Sequence, residues 1–146
     1  MNKPNINCLV EGVWSNDIAA YPDTKKHREQ NPNLYDFEYR GYKCSVKRNF
    51  TFSWCGYVQI PECHPYYSLD YDTVSENINV HGGLTYSNGK GKFGFDCAHY
   101  YDAVPNFLIH NVVLPGFKND ESVEYRDYFF VVNEVKHLVD QFLDKN

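Results

Sequence analysis

The strongest periodicity in the chain lies near its C-terminus, where Tyr128, Val131, Val132, Val135, Leu138, Val139 and Phe142 recur at i, +3, +4, +7, +10, +11 and +14. That spacing lines one face of a 3.6-residue helix, and Asn133, Lys136 and Asp140 fall opposite it. An amphipathic helix over 122–144 is therefore predicted, docked by its Val/Leu stripe. Upstream the period changes to two. Tyr35-Asp36-Phe37-Glu38-Tyr39 and Tyr42-Lys43-Cys44-Ser45-Val46-Lys47 alternate apolar with polar on either side of Arg40-Gly41, the pattern of a β-hairpin with one packed and one wet face. Phe50 to Ile60 is denser in aromatic and β-branched residues, which predicts a central strand buried on both faces, with Gly56 marking a close backbone approach and Pro61 its end.

A loop excursion over 61–77 follows, rich in ionisable and aromatic groups. Ile78 to Tyr86 reads as a strand interrupted by Gly82-Gly83, and Ser87 to Gly91 as a turn into Phe93-Gly94-Phe95-Asp96, making a second hairpin. Asp96 is a good N-cap, so Cys97 to Ala103 is expected to form a short helical turn. Asn106 to Pro115 suggests another strand, containing His110, and Gly116 to Glu121 a polar loop. Residues 1–33 are polar and broken by Pro4, Pro22 and Pro32, with Cys8 to Trp14 as a short strand and Thr24 to Gln30 as a loop or exposed turn. The expectation is one domain over 1–146: an irregular segment 1–33, a sheet region 34–115 and the helix 122–144. Strands followed by a helix, without regular βαβ alternation, place it in the α+β class, an antiparallel sheet of two hairpins plus additional strands packed by the C-terminal helix.

Composition sharpens this picture at three points. The 13 Tyr and 10 Phe among 146 residues suit half-wet sites, since each tyrosine joins an apolar ring to a hydroxyl that needs a partner. A net charge of −5 has the wrong sign for coating duplex DNA or RNA, although Lys43, Lys47 and Arg48, or Lys90 and Lys92, suffice for one small phosphorylated ligand. Five cysteines and a polar N-terminus without an export pattern fit free thiols in the cytoplasm, and no apolar run approaches a membrane span.

The candidate chemistry gathers around the second hairpin. His81-Gly82-Gly83 and Asp96-Cys97-Ala98-His99-Tyr100-Tyr101-Asp102 lie near each other if that hairpin forms, and Asp96, His99 and Asp102 share one broad face if the second segment is helical. His81, Asp96, His99 and Asp102 are thus the candidate catalytic set: one imidazole as base, the other as acid, each oriented by a carboxylate. Gly82 and Gly83 would let a ligand approach the backbone, His64 and Tyr71 would form a lid, and Tyr86, Lys90 and Arg126 would supply stacking and charge. No cofactor is called for; a divalent metal is the weaker use of the same groups, because the spacing matches no metal signature. The plain alternative makes Asp96 a cap, His99 and Asp102 an exposed turn, and His81 a strand residue. Cys97 beside Asp96 is a poor nucleophile, since a neighbouring carboxylate raises a thiol's pKa.

The ordered set Trp54-Cys55-Gly56-Tyr57-Val58, His64-Pro65, His81-Gly82-Gly83-Leu84-Thr85-Tyr86, Phe93-Gly94-Phe95-Asp96-Cys97-Ala98-His99, Asp102 and Tyr125-Arg126-Asp127 resembles a family of small bacteriophage and prophage proteins. This chain has Lys92-Phe93 where that pattern often carries two aromatics. The resemblance implies, by analogy, a role against host immunity. The leading expectation is sequestration of a small nucleotide-like ligand in the host cytoplasm, with no duplex nucleic acid and no membrane involved. A hydrolase of a phosphodiester or related bond in such a ligand is the second, and an inhibitor that binds a host protein through its Tyr-rich surface the third. A chain this rich in tyrosine also suits a homodimer.

Overall fold

The computed structural model describes residues 34–49, 51, 53–99, 101–102, 104, 124 and 126–146. The expected elements at 8–14, 24–30 and 106–121 lie outside the described residues. The first hairpin forms where the alternation placed it, as β1 (Leu34–Tyr39) and β2 (Tyr42–Arg48), with Tyr39 opposite Tyr42 across the turn. Arg40 and Gly41 both take positive φ, 50° and 85°, as a two-residue turn between twisted strands requires. Arg40 then pairs with Asp140 at 2.8 Å, tying the turn to the terminal helix.

β3 (Trp54–Gln59) is the middle strand of a five-stranded antiparallel sheet ordered β1-β2-β3-β5-β4, where β4 is Tyr86–Ser87 and β5 is Lys92–Asp96. A short helix α1 (Tyr71–Ser75) sits within the expected loop, and α2 (Tyr128–Asp144) packs across β2 and β3. The α+β class is as the pattern implied. Of the predicted stripe, Val132 alone is only partly buried; Val131, Val135, Leu138, Val139 and Phe142 are sealed against Trp54, Val58, Phe93 and Phe95. Full burial of each such side chain is worth about 1.5–3 kcal/mol. Gly56 explains how closely the helix approaches: a Cβ there would lie 2.5 Å from both Val135 Cγ2 and Phe95 Cε1.

Three expectations need correction. The second hairpin is short, because residues 78–85 are irregular and only Tyr86 and Ser87 pair with β5. Gly82 and Gly83 adopt φ of 68° and 80°, and the Gly83 amide closes a turn onto Val80 O at 2.9 Å, a geometry no strand can continue. Second, Cys97 to Asp102 forms bends and a turn, with no helix among its described residues. The Asp96 carboxylate accepts from the Ala98 amide at 3.0 Å, two residues on, and so holds an aspartate turn instead of capping a helix. Third, α2 starts at Tyr128, not at residue 122, because Asp127 is the cap and accepts from the Phe130 amide at 2.9 Å.

Candidate functional site: two histidines on a buried carboxylate

Asp102 organises the site. Its side chain has no exposed surface, and a bridge between Asp102 and Glu124 lays the approach to α2 beside it. His81 Nε2 lies 2.9 and 3.0 Å from its two oxygens. His99 contributes both Nδ1 and its backbone amide, each 3.0 Å from Oδ2. Arg126 Nε donates to Oδ1 at 3.0 Å, while its Nη1 donates to Glu124 Oε2 at 3.1 Å.

Burial by itself pushes the Asp102 carboxyl upward, but hydrogen bonds from His81 and His99 outweigh it and hold the group well below the usual carboxylate range. An ionised carboxylate only accepts, so the two ring nitrogens facing it must donate. That fixes which ring nitrogen carries the proton toward the carboxylate, Nε2 in His81 and Nδ1 in His99. The hydrogen bond to Asp102 raises the His99 pKa above 6.5, against partial burial, with the Asp96 charge adding to it.

The rings form a packed stack. His99 lies flat on Tyr101, 5.4 Å between centroids and 7° between planes, and His81 meets His99, Tyr101 and Phe130 edge-on at 5.3, 5.4 and 5.1 Å. The Arg126 guanidinium covers the Phe130 ring at 5.0 Å. Glu134, nearly two turns into α2, accepts the His81 backbone amide at 2.9 Å. Tyr101, Phe130 and Glu134 escaped the sequence reading. A signal was available for the last two, which stand four apart on the helix and so share a face.

The expected catalytic residues do converge, though unequally. Asp96 is peripheral, 3.9 Å from His99 Nδ1 and bonded to Thr85 Oγ1 at 3.1 Å. The His81 side chain is 9% exposed and that of His99 22%, so His99 alone offers much of a ring to a ligand. Gly82 serves the fold in an unforeseen way: an added Cβ would lie 2.2 Å from His99 Nε2, so the missing side chain admits the imidazole, not a ligand. Gly83 is a turn residue with the Ser75 hydroxyl near it.

Arg126 precedes the helix cap instead of riding on the helix, and its charge is spent on Asp102 and Glu124. His64 lies elsewhere. It is buried, with Nε2 bonded to Phe142 O at 2.7 Å and Nδ1 accepting from the Tyr66 amide at 2.9 Å, so it pins the loop to the far end of α2. The 12 residues from Phe130 to Phe142 put it about 18 Å from the cluster along the helix. Tyr71 and Tyr86 are exposed at 40% and 42%, beside β4. Burial lifts the Cys97 thiol far above its ordinary range, helped by the Asp102 charge, which leaves it unreactive.

His81, His99 and Asp102 also offer ligand atoms within 4.8 Å of one another, close enough for a divalent cation. Binding one would cost the two donated protons and set the cation beside Arg126, so hydrogen bonding describes this donor set better. Comparison with protein-family models, curated proteins and solved structures finds no match for the chain. Among the described residues no helix is long and apolar enough to cross a membrane.

Proposed function

We propose that the chain binds a small nucleotide-like ligand at the exposed edge of His99 and acts on it by proton transfer, as a hydrolase of a phosphodiester or related bond. One observation carries this reading: a fully buried, ionised carboxylate holds the part-exposed His99 ring by Nδ1, while Nε2, beside Gly82, stays off that carboxylate. An imidazole oriented and charge-stabilised in this way is the usual form of a general base. His81 and Arg126 complete the set of donors around Asp102 as positioning residues. The resemblance to phage and prophage proteins supports a host signalling nucleotide as the ligand and the host cytoplasm as the place of action.

Sequestration without turnover is the second reading, favoured by the enclosure of His81, which leaves no second open imidazole beside Asp102 among the described residues. Incubation with cyclic dinucleotides and ADP-ribose derivatives, followed by chromatography of the denatured mixture, separates the two. New products that vanish with His99→Ala establish catalysis, and intact ligand released on denaturation establishes sequestration. If no compound is altered, retained or able to shift the melting temperature, both readings fall and a protein partner takes their place.

A further inference from the structure

The sheet face opposite α2 carries its own constellation. Strand register brings Asp36, Ser45, Tyr57, Gly94 and Tyr86 into one row across all five strands, and Glu38, Lys43, Gln59 and Lys92 into the next. The small residues in the first row leave a hollow. A cavity of about 690 Å³ opens there, lined by Asp36, Lys43, Ser45, Tyr57, Gln59 and Lys92, and a second of about 420 Å³ adjoins it toward Lys47 and Tyr86. Gly94 lets the Tyr57 ring lie flat on β5, since a Cβ there would be 2.6 Å from Tyr57 Cδ1. Lys92 Nζ stands 5.1 Å from the centre of that ring, and Tyr86 meets it edge-on at 5.7 Å.

We propose that this face is a binding site for a single nucleotide, separate from the Asp102 cluster and independent of the reading given to it. Among the described residues, Lys43, Lys47, Lys92, Asp36 and Glu38 form no ion pair with one another or with any other side chain. Lys43 and Lys92 flank Gln59 in one row and supply the ammonium groups for a phosphate. The exposed Tyr86 ring gives a stacking surface for a base. Asp36 and Glu38 accept hydrogen bonds from ribose hydroxyls or base amines, a use that fits acids set beside lysines better than phosphate binding alone does. The volume of this open hollow falls in the range of small-molecule sites, about 300–1,000 Å³, and the net charge of −5 disfavours a polyanion.

The test uses the full chain with AMP, ADP-ribose and cyclic di-AMP as probes, with adenosine and inorganic phosphate as part-ligands, read by calorimetry and amide NMR. At least one nucleotide should bind more tightly than either part-ligand and shift the amides of Ser45, Tyr57 and Tyr86. The Lys43→Gln/Lys92→Gln double variant should weaken binding at least tenfold and Tyr86→Ala severalfold, with melting temperatures little changed because Lys43 and Tyr86 are exposed and Lys92 is half-buried. Absence of binding by every nucleotide, or affinity indifferent to the lysine pair, overturns the proposal. Failure of the Asp102 reading shows separately, as turnover or retention insensitive to His99→Ala.

Discussion

Replacing Asp102 by Asn keeps the shape of the side chain and removes its charge, so it tests whether the buried carboxylate holds the site together. The native group faces two imidazole nitrogens, one backbone amide and a guanidinium nitrogen, all within 3.0 Å. An amide replaces one acceptor oxygen with a donor and sets it against donors. Removing one partner of a buried charge pair costs about 3–5 kcal/mol, and the lower end applies because Arg126 keeps Glu124. At roughly 3–4 °C per kcal/mol for a domain of this size, the melting temperature should fall on the order of 10 °C at pH 6. The pH dependence gives a sharper signature. Because the carboxyl is held below its ordinary 3.8, its contribution is complete above that value and is lost as pH falls toward the folded-state pKa. The gap between wild type and variant should therefore be full at pH 6 and narrow below pH 4. His99 behaves oppositely: its raised pKa stabilises the fold below 6.5 and ceases to do so as pH rises through the folded value. The variant should show a flatter stability profile above neutrality and a His99 titration displaced downward in NMR. Thermal unfolding by circular dichroism from pH 3 to 9 is the assay. A variant melting within about 2 °C of wild type at pH 6, with an unchanged His99 titration, would refute the account of the network.

Other substitutions probe single links. Gly82→Ala should displace His99, because the new methyl group occupies the place of the ring and φ is 68°; a loss of about 1–3 kcal/mol is expected in urea unfolding, with the His99 resonances moved. His64→Ala should cost about 1–3 kcal/mol through the unpaired Phe142 carbonyl and Tyr66 amide, yet leave ligand affinity unaltered, and a drop in affinity would place His64 in the site after all. Gly56→Ala forces a methyl group between Val135 and Phe95 and should destabilise by about 1–3 kcal/mol in the same assay. Asp127→Ala removes the helix cap at a cost of about 1 kcal/mol and should fray the first turn of α2, visible as faster amide exchange at Phe130.

The first hairpin and the docking face of α2 were legible from residue order alone, because each rests on a local period that burial of one face enforces; the central strand was legible from its aromatic and β-branched density, although Tyr57 and Gln59 on its outer face are only partly buried. Arg40-Gly41 and Val131 through Phe142 needed no information from elsewhere in the chain. The candidate residues at 81, 99 and 102 were also identifiable by type. Their arrangement was only partly so: His99 stands three positions from Asp102, but the other side-chain donors lie 21 positions upstream and 24 downstream, and no local pattern encodes such pairings. Tertiary packing alone decided that Gly82 would yield its space to an imidazole, that Arg126 would be consumed by Asp102, and that His64 would serve the far end of the helix. Local propensities weigh one segment against water. A buried carboxylate weighs every donor within reach against leaving its charge unpaired, and that larger energy set the site.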